Sequence, residues 1–295
     1  MYLICMKGYY NMDLTSPRTI RNIQEQFGFT FKKGLGQNFL TARNILEEIV
    51  DAAEIESGVI EVGPGFGVLT SELAQNSDKV VTIEIDERLI DVLDYTLAEY
   101  DNVKVINEDI LKLDLKKVID DEFNGEKVSI AANLPYYITT PIITKLLEEK
   151  LPIKNIVVMV QKEVAERMSA KPSTKDYGAI TVLCQYYTEP SIVANVPASL
   201  FVPPPKVDSA VLKLKVLDKP SVEVKDEGVF FRVVKAAFSQ RRKTLLNCLS
   251  ANFPIPKDEI STLLESIGVA PSRRGETLSL EEFANIADTL LQKIK

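Results

Sequence analysis

A run of short apolar segments, separated by helical patterns, restricts the fold more than any other feature of this sequence. The segments have the composition of buried strands and lie at residues 59–63, 79–86, 103–109, 127–135 and 155–162. Helical patterns fill the gaps, most clearly over residues 87–100 and 140–150. Such alternation is typical of a parallel sheet that is covered by helices on both faces. The sequence therefore predicts an α/β fold with a mostly parallel, doubly wound sheet.

The pattern changes towards the C-terminus. Two further strands flank a proline-rich bend within residues 190–216, and beyond it only helical patterns remain, among them one continuous helix over 227–249. We therefore predict an α/β domain over residues 1–218 and a small all-α domain over residues 219–295. Within the first domain, residues 1–16 are expected to be disordered.

Composition excludes several classes of function. The chain of 295 residues contains no histidine, which removes the commonest general base, imidazole metal ligands and every serine–histidine triad. The three cysteines are far apart and lack a metal-binding spacing, so we expect no bound metal. No apolar stretch approaches the ~20 residues that cross a bilayer, and the start does not resemble a signal peptide. A cytoplasmic location and no membrane partner are expected.

A glycine loop follows the first strand of the alternating region. In "EVGPGFGVLT", Gly63 and Gly65 allow the backbone to approach a ligand closely, and they leave amide groups unobstructed by side chains. The fingerprint for dinucleotides would place its third glycine at position 68, where this chain has Val68. The loop therefore predicts a nucleotide-like ligand without the pattern of a pyrophosphate site.

Two acidic residues end the next two strands. Glu84 lies about twenty residues beyond the loop, where a carboxylate can accept hydrogen bonds from both hydroxyls of a ribose. Asp109 ends the third strand, within reach of an adenine. Together with the loop, these residues favour an adenosine-bearing cofactor. The acidic residues favour S-adenosylmethionine over NAD, which stays open as the alternative.

The fourth strand ends in the tetrad Asn133-Leu134-Pro135-Tyr136. An exocyclic amine on a base is a poor nucleophile because its lone pair is delocalised into the ring. The Asn133 side-chain carbonyl and the Leu134 backbone carbonyl can hold its hydrogens and aim the lone pair at a methyl group. Pro135 stiffens the backbone beside that carbonyl, and Tyr136 offers a ring for stacking. Such catalysis by positioning and oriented dipoles needs neither a strong base nor a metal.

Several motifs in this order resemble the KsgA-type ribosomal RNA adenine N6,N6-dimethyltransferases. They are "QNFL", "EVGPGFGVLT", "IEID", "NED", "NLPYYITTPII", "FVPPPKVDSAV", "FSQRRKTLLN" and "RRGETLSLEEFANIAD". The resemblance extends from about residue 17 to the end. It implies a Rossmann-like class I S-adenosylmethionine-dependent methyltransferase with a helical C-terminal domain.

The resemblance also implies roles for individual residues. Those that would contact the methyl donor are Asn38, Leu40, Gly63, Glu84, Asp109 and Asn133. Phe201 would stack on the flipped target base, opposite Tyr136. The implied reaction methylates the N6 amines of two adjacent adenosines near the 3′ end of 16S rRNA, the RNA of the small ribosomal subunit, twice each.

Basic residues cluster in spite of a formal net charge of −7. Lys32 and Lys33 precede the donor-binding segment and are candidates for phosphate contacts. Arg241, Arg242 and Lys243 lie within the predicted helix over 227–249. The helical row that contains Arg241 predicts an interior ion pair for that residue, whereas Arg242 and Lys243 point elsewhere and are better candidates for RNA contacts.

We therefore expect an rRNA adenine dimethyltransferase that acts, as a monomer, on small-subunit rRNA in an assembling 30S particle. A resistance enzyme with the same chemistry on large-subunit rRNA is the nearest alternative. A non-catalytic RNA-binding assembly or transcription factor, an NAD oxidoreductase and a DNA adenine methyltransferase also stay open. The motif "TTPII" after Tyr136, "FVPPPKVDS" and the long helical tail favour the first.

Overall fold

The computed structural model describes residues 12–30 and 38–294. Within these residues, every helix is too short or too polar to span a lipid bilayer. The strands are β1 (Phe39–Leu40), β2 (Val59–Val62), β3 (Val80–Glu84), β4 (Val103–Asn107), β5 (Val128–Asn133), β6 (Ile153–Gln161), β7 (Thr188–Val196), β8 (Phe201–Val202) and β9 (Ser209–Val216).

Helices lie between most of these strands and make up the C-terminal part of the described chain. They are α1 (Pro17–Phe27), α2 (Arg43–Ala53), α3 (Val68–Gln75), α4 (Ile90–Thr96), α5 (Leu115–Phe123), α6 (Thr139–Glu148), α7 (Lys162–Met168), α8 (Ala179–Tyr187), α9 (Glu227–Ala237), α10 (Leu245–Asn252), α11 (Lys257–Ser266) and α12 (Leu280–Ile294).

Seven strands form the central sheet in the order β4-β3-β2-β5-β6-β9-β7. The pairs β4–β3, β3–β2, β2–β5 and β5–β6 are all parallel. The predicted α/β fold with a mostly parallel sheet is thereby confirmed. From β2 the chain proceeds outwards through β3 to β4 and then returns to β5 on the other side of β2. This reversal opens a crevice at the carboxyl ends of β2 and β5, where doubly wound folds bind their ligands.

Burial along the strands follows their positions in the sheet. All residues of β2 and β3 are buried, as expected of parallel strands that are covered on both faces. The edge strand β4 is only partly buried. Its neighbour β3 is an inner strand and is buried to its end. The last residue of β3, Glu84, is only 5% exposed.

The chain divides into two compact units. The first contains the chain up to Lys162 together with Val193–Lys213, and the second contains Glu163–Ile192 together with Leu214–Lys295. The second unit is therefore larger than the predicted all-α domain over 219–295. It includes α8 because that helix packs on α9 and α12.

The N-terminal residues differ in part from the expectation. Residues 12–16 are ordered rather than disordered, because Leu14 is buried in the hydrophobic core of the first unit. The backbone amide and the hydroxyl of Thr15 both donate to the Asp13 carboxylate, which closes a turn just before α1. Of the segment expected to be disordered, these five residues are the ones that lie within the described chain.

The predicted single helix over 227–249 is wrong. Helix α9 ends at Ala237 and α10 begins at Leu245, with exposed residues 239–243 between them. Thr244 caps the new helix, since its hydroxyl accepts a hydrogen bond from the Asn247 amide at 3.4 Å. The Leu245 amide donates to the Arg273 carbonyl at 2.6 Å. This contact joins residues 28 positions apart in the chain. The spacing of apolar residues within 227–249 cannot predict such a contact.

Candidate active site

A cavity lies at the carboxyl ends of β2, β3 and β5 in the first unit. It brings together eight of the residues that the sequence predicts for the site: Asn38, Leu40, Gly63, Gly65, Glu84, Asp109, Asn133 and Pro135. They come from five separate segments of the chain, so the fold assembles them. Of the other residues that were predicted for donor binding or catalysis, Leu134, Tyr136 and Phe201 lie outside the cavity lining and have other environments.

The glycine loop forms one wall of the cavity. Gly63 and Gly65 have φ angles of 72° and 59°, in the left-handed region that L side chains disfavour. A Cβ atom at position 65 would lie 2.8 Å from Cε1 of Phe39. The Phe39 ring stacks on Phe66, with ring centroids 4.3 Å apart. The loop therefore requires glycine at position 65 for both its backbone conformation and the close approach of the Phe39 ring.

Glu84 projects from the end of β3 into the cavity. Its Oε1 accepts a hydrogen bond from the Asp86 amide at 2.7 Å, which fixes the carboxyl group. Burial raises the pKa of Glu84 to about 7, although the amide hydrogen bond opposes that shift. The second carboxyl oxygen extends the acceptor capacity of the group. A buried, oriented acceptor of this kind fits a vicinal diol such as that of ribose.

Glu61 is a second buried carboxyl group on the cavity wall. Thr70 Oγ1 donates to its Oε2 at 2.5 Å, and Thr82 is its partner in the parallel register of β2 and β3. Burial raises the pKa of Glu61 to about 8, and the charge of Glu84 acts in the same direction. The sequence motifs predict no role for Glu61. Its place within an all-buried strand is the signal that could have found it.

Asp109 lies two residues beyond β4 rather than at the end of that strand. Its Oδ1 accepts from the Leu111 amide at 3.0 Å, and its Oδ2 lies 3.8 Å from the Lys112 ammonium. Glu108 beside it also lines the cavity. Asp109 and Glu108 therefore bring two carboxyl groups to the cavity from the segment that follows β4.

Tyr137 is a cavity residue that the sequence motifs did not predict. It is 57% exposed, yet it lines the cavity. Partial burial raises the pKa of its hydroxyl, and the negative charges of Asp109 and Glu84 raise it further. Tyr137 therefore lines the cavity together with both of these carboxyl groups. The doubled tyrosine in "NLPYYI" is the sequence signal for this residue.

The tetrad begins at the last residue of β5. Asn133 Nδ2 donates to the Asn38 carbonyl at 3.1 Å, so the other end of the amide, its carbonyl oxygen, is directed away from Asn38. The Leu134 amide donates to the Met159 carbonyl at 3.1 Å, and the Leu134 side chain is buried in the core. Within residues 12–30 and 38–294, the structure gives no hydrogen bond to the Leu134 carbonyl. Both predicted acceptors thus retain capacity for a ligand.

The next two residues of the tetrad, Pro135 and Tyr136, are fixed by hydrogen bonds to neighbouring residues. The Pro135 carbonyl accepts from the Ile138 amide at 3.2 Å and from Thr139 Oγ1 at 3.3 Å. The hydroxyls of Tyr136 and Ser209 share a hydrogen bond of 2.8 Å. Burial raises the pKa of the Tyr136 hydroxyl, so this group is neutral at physiological pH. The ring of Tyr136 is half-buried, and the hydrogen bond between its hydroxyl and Ser209 restricts its orientation.

Phe201 is only 3% exposed and packs in the hydrophobic core. It belongs to β8, which pairs with β1 in an antiparallel two-stranded sheet, and its partner in the register is Leu40. The Thr41 amide and hydroxyl both donate to the Leu200 carbonyl, at 2.9 and 2.8 Å. In this structure Phe201 therefore holds the segment of Asn38 and Leu40 against the fold. Its stacking on a target base stays a prediction.

The candidate RNA-binding residues do not all lie in described parts of the chain. Lys32 and Lys33 are outside the described residues. Arg241, Arg242 and Lys243 are exposed in the turn between α9 and α10 of the second unit. Arg241 donates through Nη2 to the Lys175 carbonyl. The expected interior ion pair of Arg241 is therefore wrong, because the helix that would bury it ends at Ala237.

A sequence profile of a known family matches most of the chain. The profile describes ribosomal RNA adenine dimethylases and matches residues 28–292.

The chain belongs to the ribosomal RNA adenine dimethylase family.

The members of the family that resemble it include the ribosomal RNA small subunit methyltransferase A of Bacillus mycoides (strain KBAB4) and that of Bacillus cereus (strain B4264). Each is 54% identical over 285 residues, which cover 95% of this chain and 98% of the relative.

Two solved structures share both fold and sequence with the chain. A dimethyladenosine transferase from Plasmodium falciparum has a TM-score of 0.70 and 30% identity, covering 84% of this chain and 95% of that one. The 23S rRNA methyltransferase ErmE has a TM-score of 0.65 and 28% identity, covering 86% of this chain and 100% of that one. Family membership makes the protein an S-adenosylmethionine-dependent rRNA adenine dimethyltransferase with rRNA as its substrate. The NAD oxidoreductase alternative is thereby excluded.

Proposed function

We propose that the protein dimethylates the N6 amines of two adjacent adenosines near the 3′ end of small-subunit rRNA. It acts in the cytoplasm as a monomer, on an assembling 30S particle. Near full-length identity of 54% to small-subunit methyltransferases supports the small subunit as the target. The large-subunit alternative has weaker support, since identity to the 23S rRNA methyltransferase is 28%.

The orientation of Asn133 carries the catalytic part of the proposal. Its amide nitrogen is bound to the Asn38 carbonyl, so its carbonyl oxygen is available to a ligand at the cavity. Together with the Leu134 carbonyl it forms a pair of acceptors for the two hydrogens of an adenine N6 amine. Binding both hydrogens holds the nitrogen pyramidal and directs its lone pair at the methyl donor. Fixed dipoles of this kind act without reorganising during the reaction.

The other cavity residues fit an adenosyl donor. The Glu84 carboxyl accepts the ribose hydroxyls, and Asp109 accepts from the adenine amine. Gly63 and Gly65 form a wall without side chains, against which the methionine part can lie. S-adenosylmethionine supplies an electrophilic methyl group when it is bound. The methylated amine is acidic enough to lose its proton to water, so no histidine is required.

Tyr136 completes the target site. Its hydroxyl is held by Ser209, which leaves the ring face for stacking on the flipped adenine. Stacking of a base on an aromatic ring contributes about 1–3 kcal/mol. Phe201 is proposed as the opposite wall. Since Phe201 is buried here, this role requires the two-stranded sheet of β1 and β8 to yield when the base enters.

Phosphate contacts are assigned to the basic residues. Arg242 and Lys243 are exposed in the second unit and suit the RNA backbone. Arg241 has its guanidinium partly engaged by Lys175. Lys32 and Lys33 are proposed as a second contact, next to the donor-binding segment.

Replacing Asn133 tests the catalytic proposal. We expect Asn133→Ala to lower kcat by about a hundredfold, the effect of losing one aligned dipole, measured as transfer of labelled methyl groups to purified small subunits. Asn102→Ala is the matched control. Asn102 also donates to backbone carbonyls, those of Ala74 and Ser77, but it lies away from the cavity, so turnover should persist.

Substrate choice is tested in the same assay by offering each ribosomal subunit separately. Transfer to the small subunit alone is expected, with both methyl groups on each of two adjacent adenines. Transfer to the large subunit alone would overturn the proposal. Unchanged turnover in Asn133→Ala would instead reject the role of the tetrad while leaving the choice of subunit intact.

A further inference from the structure

Two segments of the second unit, which are distant in sequence, meet in a basic surface. One is the loop 169–178, which carries Lys171 and Lys175. The other is the turn between α9 and α10, which carries Arg241, Arg242 and Lys243. The Arg241 guanidinium donates to the Lys175 carbonyl and so joins the two segments, which are 66 positions apart in the chain.

The loop 169–178 is anchored to its own unit by several contacts. The Ser173 amide donates to the Glu276 carbonyl at 2.7 Å, and Gln185 Nε2 donates to the Ala170 carbonyl at 2.7 Å. Tyr177 is buried, with its ring against Phe238 at a centroid distance of 5.9 Å. The backbone that carries the two lysines is therefore held in place before any partner binds.

The turn within this loop is compact. Thr174 Oγ1 donates to the Lys171 carbonyl at 2.7 Å, and Ser173 adopts a φ of 70°. Residues 171–175 are all exposed. The Lys171 and Lys175 side chains thus leave a fixed turn towards solvent.

The charges of this surface are not neutralised internally. Within the described part of the chain, the structure gives no ion pair to any of the five cations. By contrast, Arg273 of the same unit pairs with Glu282, and Arg274 lies 4.0 Å from Glu276. Asp176 is the single acidic residue of the loop. In a chain with a formal net charge of −7, five unpaired cations in two joined segments mark a surface for an anionic partner.

RNA is the partner that this surface fits best. The phosphates of RNA are regularly spaced, so several cations on a rigid backbone can each bind one of them. The protein also belongs to a family of rRNA-modifying enzymes. We propose that Lys171 and Lys175 bind phosphates of the substrate rRNA beside Arg242 and Lys243, with Arg241 as the residue that positions the loop. This inference rests on the proposed function, and it adds a binding segment from outside the C-terminal helices.

Removing the two lysines tests the inference. We expect Lys171→Gln/Lys175→Gln to weaken binding to purified small-subunit rRNA and to lower the slope of log K against log salt by about 1 for each lysine. Binding of S-adenosylhomocysteine, measured by calorimetry, should not change. Lys219→Gln/Lys257→Gln is the matched control, because both lysines are exposed in the second unit but belong to other segments.

The positioning role of Arg241 has its own readout. If Arg241 acts through the loop, Arg241→Ala and Lys175→Gln should combine in a double-mutant cycle with a smaller loss of RNA affinity than the sum of the two single losses. Additive losses would show that Arg241 binds phosphate independently of the loop, and they would reject the positioning role.

The possible outcomes separate this inference from the proposed function. A salt slope equal to that of the wild type would overturn the inference, whatever the methylation assay shows. Weakened binding to the intact small subunit but not to purified rRNA would mean that the lysines contact a ribosomal protein, and it would also overturn the inference. Absence of methyl transfer by the wild-type protein would reject the proposed function alone, since the binding measurement does not require turnover.

Discussion

At the scale of single residues, two carboxyl groups of the cavity are buried, and within residues 12–30 and 38–294 the structure gives neither of them an ion pair. Glu84 accepts a backbone amide hydrogen bond at 2.7 Å and has a pKa of about 7, while Glu61 beside it has a pKa of about 8. Burial is the main cause of both shifts. Both groups therefore titrate close to neutral pH, so we expect the site to be sensitive to pH in this range.

Glu84 should link donor binding to pH. The carboxylate form accepts ribose hydroxyls better than the acid form, so binding favours loss of the proton. Below a pKa of about 7, affinity for S-adenosylhomocysteine should rise with pH, by at most about tenfold per unit for a single linked proton. Calorimetry at pH 6.0, 6.5, 7.0 and 7.5 measures this dependence.

The control for this prediction is Glu84→Gln, which keeps an acceptor but cannot ionise. Its affinity should be weaker than that of the wild type and nearly independent of pH in the same range. A wild-type affinity that falls with rising pH would contradict the assignment of Glu84 to the ribose.

Glu61 should affect stability rather than binding. In the unfolded chain a glutamate titrates near 4.3, whereas in the folded protein the pKa of Glu61 is about 8. Between these values the folded state holds the extra proton, so the free energy of unfolding falls as pH rises. Glu61→Gln keeps an acceptor for Thr70 and removes this dependence. From pH 6 to pH 8, the wild type should lose on the order of 2 kcal/mol more stability than the variant.

Urea unfolding at the two pH values measures that difference. Glu84 titrates in the same range and remains in both proteins, so the difference reports Glu61 together with its coupling to Glu84. Parallel loss of stability in the wild type and in Glu61→Gln would mean that position 61 is already charged in the folded protein at pH 6.

At the scale of elements, the glycine loop allows a test with a well-matched pair of substitutions. Gly65 and Gly28 both have a φ of 59°, but only at Gly65 would a Cβ meet a neighbour, Cε1 of Phe39 at 2.8 Å. Alanine at either position has the backbone strain of the left-handed region, about 1–2 kcal/mol. Only Gly65→Ala should also displace Phe39, and we expect its affinity for S-adenosylhomocysteine to fall at least about tenfold.

The melting temperatures of the two variants, taken without ligand, show the shared effect of strain, and calorimetry shows the difference in binding. Gly28→Ala should be destabilised while binding the ligand as tightly as the wild type. Equal ligand affinity in both variants would show that the Phe39 contact does not shape the cavity.

The elements also show what the sequence could and could not predict. The parallel sheet was predicted because its strands are buried on both faces and read as continuous apolar runs. Residues at strand ends, such as Glu84 and Asn133, were predicted to meet because the carboxyl ends of parallel strands lie at one edge. The break between α9 and α10 was not predicted, since it depends on contacts with distant residues such as Arg273.

The same distinction applies within the site. Tyr137 reaches the cavity through the backbone turn that follows Pro135, and a local pattern does not give the direction of that turn. The burial of Phe201 depends on the pairing of β8 with β1, two segments of two residues each that carry almost no periodic signal. Long strands and their ends were therefore predictable, whereas short pairings and turns were not.

At the scale of the whole molecule, the cavity proposed as the donor site and the basic surface belong to different compact units. The cavity residues all lie in the first unit, and Lys171, Lys175 and Arg241 to Lys243 all lie in the second. In our proposal the carboxyl groups of the first unit bind the donor and its carbonyl pair binds the target amine, whereas the exposed cations of the second unit bind RNA phosphates.

Hydrogen exchange should detect this division of labour. Adding S-adenosylhomocysteine should slow amide exchange most in the cavity segments, residues 63–65, 84–86, 108–110 and 133–138, because bound ligand suppresses their local opening. Residues 171–175 and 241–243 should keep their exchange rates until small-subunit rRNA is added, and should then slow in turn. If the donor product alone protected residues 241–243 as strongly as the glycine loop, the two ligands would be sharing one site, and the assignment of phosphate binding to the second unit would have to be abandoned.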